Sequence, residues 1–133
     1  MLERLAKDAK VSSDEWIKIA KQSEDAQENG MYLFHNGVVR ATAKAKVREN
    51  KDVPNVEGLN LGVNWAEAER AVEETKNMDG ISYVRVMLNE GELVVGDDIM
   101  WVLIGGDIRP RVIAALEYLV DRLKNDCLLE QEF

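Results

Sequence analysis

The sequence predicts a mixed α+β domain in which a mostly antiparallel sheet packs against three helices. Segments of helical periodicity and short apolar segments follow one another in the order α-β-β-α-β-β-α, which differs from a regular βαβ array. The 133 residues suit a single domain with its own core. Hydrophobic residues make up 46% of the chain and charged residues 32%, as in ordinary globular proteins.

The first helix is predicted over residues 12–28. Ser12 and Glu15 have the spacing of a capping box, in which each side chain accepts a hydrogen bond from a free amide of the first turn. Asn29-Gly30 predicts a left-handed end to this helix. An apolar stripe lies between these signals, at Trp16, Ile17, Ile19 and Ala20.

Two short strand-like segments, Met31–His35 and Val38-Val39, come next. Asn36-Gly37 between them indicates either a hairpin turn or a bulge within one longer strand. Residues 41–55 are polar and basic and lack a clear period, so they are predicted to form a mobile basic loop of a length that is usually functional or disordered.

The second helix is predicted over residues 64–77, with Asn64 as its N-cap. The preceding segment, Val56–Val63, alternates weakly and is predicted as a strand, and Asp79-Gly80 follows the helix as a turn. The apolar side of this helix carries Ala68, Ala71, Val72 and Thr75.

Two further strands, with a short piece between them, are predicted before the last helix. Ile81–Leu88 alternates, with a charge on only one face, and Leu93–Val95 is a shorter piece. Ile99–Gly105 is the most hydrophobic segment, which predicts a central strand.

The last helix is predicted over residues 107–126, with Pro110 in the first turn, where a missing amide costs nothing. Residues 127–133 are predicted to form a short acidic tail, unsuited to an anion pocket but suited to docking. The apolar face of the helix is formed by Val112, Ile113, Leu116, Leu119, Val120 and Leu123.

Composition excludes several functional classes. The net charge of −8 argues against nucleic acid and anionic membranes as partners, and no apolar run reaches the roughly 18–20 residues of a membrane span. One cysteine and one histidine argue against a disulfide and a structural zinc site, and they fit the cytoplasm. The basic run at Arg40–Lys51 is either a solvated loop or a local anion site.

Several motifs together resemble the large, catalytic subunit of molybdopterin synthase, the MoaE family. They are Gly37–Arg40, Gly91–Leu93, Gly96–Ile99, a helix that opens at Arg109, and its end at Asp121–Lys124. The order and spacing of these motifs carry the resemblance, which covers about residues 30–126.

The resemblance implies an α/β-hammerhead fold and a homodimer of large subunits, hence a heterotetramer overall. Each copy would bind a small ubiquitin-like sulfur-carrier subunit whose Gly-Gly C-terminus, as a thiocarboxylate, enters a pocket. Sulfur would then pass to a pterin phosphate substrate, cyclic pyranopterin monophosphate. The resemblance requires neither a metal nor an organic cofactor.

The same resemblance assigns Lys124 as the catalytic residue and Arg40 as the arginine of the pocket. A lysine can act as an acid or base or stabilise charge, and a guanidinium can hold a phosphate through two hydrogen bonds. Each also has a structural interpretation. Lys124 would complement the dipole of the last helix, and Arg40 would be a surface residue at a strand end.

Other cations are candidates for substrate binding. Arg109 and Arg111 lie at the start of the last helix, where amides favour anions and cations are electrostatically misplaced. Lys44 and Lys46 belong to the basic segment. His35, the only histidine, is either a general base or a structural strand residue.

Three departures from the family pattern favour an alternative, a non-catalytic relative that serves as a dimeric scaffold for a ubiquitin-like partner. Ile108 replaces a histidine, Gln131 replaces a second lysine, and the chain stops at Phe133 where relatives continue. A third interpretation is a small acidic dimerisation module without sulfur chemistry.

Overall fold

The computed structural model describes residues 1–6 and 9–133. A 3-10 turn at Ala26–Glu28 and a π-helical turn at Leu123–Cys127 supplement the regular elements. In chain order, the strands and α-helices of the described residues are β1 (Leu2–Arg4), α1 (Ser13–Ala20), β2 (Met31–Val38), α2 (Lys44–Glu49), β3 (Gly58–Val63), α3 (Trp65–Lys76), β4 (Ile81–Leu88), β5 (Gly91–Val94), β6 (Asp98–Gly106), α4 (Arg109–Arg122) and β7 (Leu128–Glu132).

The strands form two sheets, one in the order β1-β4-β6-β2 and one in the order β5-β3-β7. Every strand pair is antiparallel except β1 with β4. The predicted α+β class with a mostly antiparallel sheet is therefore confirmed. The parallel edge strand β1 was not predicted, because three residues are too few to display a period.

Strand β6 lies at the centre of the fold, as its apolar sequence predicts. Met100, Val102 and Ile104 pack on the core beneath α3 and α4, whereas Trp101 and Leu103 pack against α1 on the opposite face. Burial on both faces explains why the strand is a continuous apolar run and does not alternate.

The first helix is shorter than predicted. The Oγ of Ser12 accepts a hydrogen bond from the amide of Glu15, as expected of a cap, but α1 ends at Ala20 and not at residue 28. The hydroxyl of Ser23 donates to the carbonyl oxygen of Ala20 at 2.8 Å, a side-chain bond that competes with helix continuation. Gly30 is not left-handed. A Cβ at Gly30 would lie 2.1 Å from the carbonyl oxygen of Asp107, so glycine permits a close approach of two backbones.

Asn36-Gly37 is part of one strand, so the bulge interpretation is correct. Register with β6 shifts between Gly37 and Val38. The side-chain amide of Asn36 donates to the Oδ1 of Asp98 at 3.0 Å and to the carbonyl oxygen of Met100 at 3.2 Å, which ties the bulge to β6.

Two predictions for polar segments were wrong. Residues 41–55, predicted as a loop, contain the short helix α2, so the described chain has four α-helices and not three. Six residues are under two turns and show no usable period. Residues 127–133, predicted as a docking tail, include strand β7, which pairs with β3 from Leu59 to Val63.

The second and third predicted helices are confirmed with small changes at their ends. The Oδ1 of Asn64 accepts from the amide of Glu67 at the start of α3. Helix α4 ends at Arg122, and the chain continues as the π-helical turn. No helix in the described part of the chain has both the length and the apolar character needed to cross a membrane.

Candidate functional site

A small pocket of about 40 Å³ lies where β2 ends and α2 begins, beside the last strand. Val39, Leu59 and Ile99 supply buried apolar walls. The remaining lining is mostly charged, and it brings together residues that are far apart in sequence. The charged side chains of this pocket are those of Arg40, Lys44, Lys124, Glu130 and Glu132.

Glu130 bridges two lysines inside the pocket. Its Oε2 accepts from the Nζ of Lys44 at 2.5 Å, and its Oε1 accepts from the Nζ of Lys124 at 3.0 Å. Only 5% of the Glu130 side chain is exposed, against 36% for Lys44 and 25% for Lys124. The carboxylate is therefore the buried centre of the cluster and the lysines are its partly open sides.

Three different elements place these groups. Lys124 belongs to the π-helical turn after α4, Lys44 is the first residue of α2, and Glu130 lies on β7. Side chains alternate along a strand, so Leu128, Glu130 and Glu132 share the face of β7 that points inward.

Glu132 holds the start of α2. Its carboxylate accepts a hydrogen bond from the backbone amide of Lys44 at 3.0 Å. The residue at the N-cap position, Ala43, has no side chain that could cap the helix. A strand residue distant in sequence thus replaces a local cap, and it positions Lys44 over the pocket.

Arg40 supplies the least constrained charge of the pocket. It is exposed, and its Nε donates to the carbonyl oxygen of Thr42 at 3.1 Å. Within residues 1–6 and 9–133 it pairs with no carboxylate, so its guanidinium is open to an anion. Three cations against two carboxylates leave one positive charge in excess, although the chain as a whole carries −8.

The ionisation of Glu130 reflects this environment. Burial alone would raise the pKa of its carboxyl, but the hydrogen bonds from Lys44 and Lys124 outweigh burial, and the pKa lies below its usual value. Glu130 is consequently ionised at neutral pH, and the pocket already contains an anion.

His35 lies next to the pocket and not in it. It is half-buried on β2 and faces Leu116, Glu117, Val120 and Asp121 of α4. Burial lowers the pKa of its imidazole, and the nearby positive charge of Lys124 lowers it further. The residue is therefore a sensitive reporter of charge at Lys124.

The predicted arginines of α4 do not reach the pocket within one chain. Arg109 opens α4 and Lys124 follows its end, a separation of roughly 22 Å along the helix axis at 1.5 Å per residue. Arg111 pairs with Asp107 at 2.8 Å. Ile108, at the N-cap position, is half-exposed and provides no capping group.

Lys46 is exposed on α2 and outside the pocket lining. A role for Arg109, Arg111 or Lys46 in substrate binding therefore remains a prediction. Within the described chain, no three His, Cys, Asp or Glu side chains lie together in a way that could hold a metal ion.

Glu130 and Glu132 were not predicted as site residues. The acidic end of the chain was expected to be unsuited to an anion pocket, whereas the structure places both carboxylates in the pocket lining. Gln131, which the resemblance aligns with a second lysine of the family, pairs with Asn60 and is exposed on the opposite face of β7. The alternation of residues 128, 130 and 132 was the available signal, but it required knowing that the segment is a strand.

The sequence and the fold both match known proteins. The family profile described as MoaE protein matches residues 7–126. The structure resembles molybdopterin synthase from Staphylococcus aureus, with a TM-score of 0.72 and 16% identity over 98% of this chain and 89% of that one. It also resembles the molybdopterin biosynthesis MoaE protein from Burkholderia ambifaria MC40-6, with a TM-score of 0.71 and 17% identity over 97% of this chain and 82% of that one.

A third similar structure is a protein-protein complex of subunits 1 and 2 of the molybdopterin-converting factor from Helicobacter pylori 26695. Its TM-score is 0.67, with 16% identity over 98% of this chain and 83% of that one. No curated protein matches the chain. Since the family profile covers most of the sequence and the fold agrees, this chain belongs to the MoaE family, the large subunits of molybdopterin synthase, which act in molybdenum cofactor biosynthesis.

Proposed function

We propose that this chain is the catalytic large subunit of a molybdopterin synthase. It would take sulfur from the thiocarboxylated C-terminus of a small ubiquitin-like subunit and transfer it to cyclic pyranopterin monophosphate. The observation that carries the proposal is a pocket with excess positive charge, built from Arg40, Lys44 and Lys124, on an acidic MoaE-family chain.

The chemistry of the reactants fits these groups. The sulfur donor is an anionic thiocarboxylate and the acceptor is an anionic phosphate ester, so the site needs fixed cations. Lys124 would stabilise negative charge that develops on the tail during transfer, or move a proton there. The exposed guanidinium of Arg40 would hold the phosphate.

The size of the pocket supports a protein tail as the entering group. The pocket is narrow, with a volume of about 40 Å³. Glycine residues lack side chains and permit close approach of their backbone, so a Gly-Gly terminus suits a narrow entrance. The similar Helicobacter pylori structure is a complex of two different subunits, which supports a small-subunit partner here.

A second copy of this chain is part of the proposal. Arg109 and Lys124 lie too far apart within one chain to act on one substrate. If both serve the reaction, Arg109 must reach the pocket of another copy, as in the homodimer that the resemblance implies. We further propose that the protein works in the cytoplasm, where a lone thiol such as that of Cys127 stays reduced.

The non-catalytic scaffold remains a second candidate, and two observations favour it. Gln131 does not supply the second lysine of the family, and Glu130 fills the space between the two lysines that are present. Such a protein would bind the small subunit without turnover.

Reconstitution separates the candidates. The protein is mixed with a thiocarboxylated small subunit and cyclic pyranopterin monophosphate, and molybdopterin formation is followed. Turnover that depends on Lys124 supports the enzyme. Tight binding of the small subunit without turnover supports the scaffold, and absence of binding contradicts both.

A further inference from the structure

We infer that Glu130 acts as an internal competitor at this pocket, a carboxylate that occupies the anion position between Lys44 and Lys124 until the C-terminal carboxylate or thiocarboxylate of a docked partner protein displaces it. The inference rests on the proposed function, because it assigns a selectivity device to that same site.

The geometry of the cluster is that of a bound anion. Each oxygen of Glu130 accepts from a different lysine, at 2.5 Å from Lys44 and 3.0 Å from Lys124. A carboxylate at the end of a partner chain presents the same two oxygens and the same charge. It would therefore require the same two ammonium groups, which Glu130 already occupies.

The surroundings distinguish this arrangement from an ordinary surface ion pair. The Glu130 side chain is 5% exposed, and its pKa remains below the usual value despite its burial. The lysines, in contrast, are partly open to solvent. An incoming anion can therefore approach both lysines from solvent, but it must replace Glu130 as their partner.

Competition by Glu130 selects for a tethered ligand. Because the carboxylate belongs to the same chain, its effective concentration at the lysines is high, in the way that an intramolecular group outcompetes a free one. A free anion at ordinary concentration would lose this competition. The tail of a docked protein is also held locally, so it competes on equal terms, and Arg40 adds attraction that Glu130 does not use.

The strand that carries Glu130 also keeps α2 in place during this exchange. Glu132, two residues further along β7, holds the backbone amide of Lys44. Displacement of Glu130 would release the side chain of Lys44 while Glu132 continues to anchor the helix. The pocket can therefore exchange one anion for another without loss of α2.

The test is the binding of a synthetic peptide that ends in Gly-Gly with a free carboxylate, measured by calorimetry, to the wild type, Glu130→Gln and Glu132→Gln. If Glu130 competes, Glu130→Gln binds the peptide at least about tenfold more tightly than the wild type, and Glu132→Gln does not. A matched peptide with an amidated end gains nothing. Unchanged or weaker binding to Glu130→Gln overturns the inference, because Glu130 would then only position the lysines.

Two additions keep the test decisive. If Glu130→Gln fails to fold, Glu130→Asp carries the test, since its shorter side chain keeps the charge but cannot reach both lysines. Its peptide affinity should rise, and an unchanged affinity contradicts the inference.

Inorganic phosphate is a second probe that needs no partner. If tighter peptide and phosphate binding to Glu130→Gln accompanies a wild type without turnover, the competitor role stands and the proposed enzyme falls. Turnover by the wild type, without tighter peptide or phosphate binding to Glu130→Gln, rejects the competitor role and leaves the proposed enzyme standing.

Discussion

Lys124 and Glu130 form an ion pair of 3.0 Å that joins the π-helical turn after α4 to the inward face of β7. They are six positions apart in sequence, and the turn between them brings the chain back on itself. The pair sets both the charge and the accessible space of the pocket.

Replacement of Lys124 by alanine should abolish turnover. Loss of a positioned proton donor or charge stabiliser typically lowers rates about 10²–10⁴-fold. The side chain is partly exposed and outside the apolar core, so the fold should persist. Steady-state kinetics and circular dichroism check both parts. Lys18→Ala, on the exposed face of α1, is the matched control. Normal turnover by Lys124→Ala would sink the catalytic assignment.

Arg40→Ala should weaken binding of the phosphorylated pterin more than binding of the small subunit. A hydrogen bond to a charged group contributes about 1.5–3 kcal/mol, which corresponds to roughly ten- to a hundredfold in affinity. Arg40→Lys, which keeps the charge but loses the planar fork, should fall between the wild type and alanine. Calorimetric titration with each partner measures the effect. Equal losses for the two partners would argue that Arg40 does not anchor the substrate.

The pKa of His35 should rise when an anion binds beside Lys124. In the free protein, burial and then the charge of Lys124 lower this pKa. A bound anion offsets that charge, so protonation of the imidazole becomes easier. Because His35 is the only histidine, NMR titration of its ring protons reports the change without ambiguity. Lys124→Ala should raise the pKa in the same direction, while Lys18→Ala should leave it unchanged.

The stability of the protein should decrease in acid partly through Glu130. Its pKa in the folded state lies below the ordinary value of 4.5, so the ionised form is stabilised by folding. This contribution is fully present above about pH 4.5 and is lost as the pH falls through the lowered pKa. Denaturant unfolding from pH 3 to pH 7 should show a shallower acid decline in Glu130→Gln. An identical decline in both proteins would contradict the assignment.

Mixing of two inactive variants should restore activity if two copies share a site. Arg109 and Lys124 cannot meet within one chain. In a mixture of Arg109→Ala and Lys124→Ala, random exchange gives half heterodimers, each with one complete site, so about a quarter of wild-type turnover returns. Each variant alone stays inactive. Recovery near zero after proven exchange would contradict a site shared between two copies, and normal turnover by Arg109→Ala alone would show that Arg109 has no role.

Local signals in the sequence predicted much of the framework. Ser12 and Asn64 were recognised as caps because a cap depends on a side chain and an amide three residues away. The central position of β6 followed from an apolar run that only burial on both faces explains. The family followed from the order of short motifs, which the match over residues 7–126 confirms.

Features that depend on partners distant in sequence could not be predicted in this way. Helix α2 lacks a local cap, and the carboxylate of Glu132, 88 residues away, takes that place. The strand β7 looked like a tail because its inward face carries glutamates as well as an apolar residue.

The sequence alone determined the fold class, the main helices and strands and the family. It also predicted Lys124 and Arg40 as candidate site residues. Only the tertiary structure decided that Glu130 lies between Lys44 and Lys124, and that Arg109 lies at the far end of α4. The physical reason is the distance along the chain over which each interaction acts. Caps, turns and periodicity act over a few residues, whereas the charge of a pocket is a sum over side chains that only folding brings together.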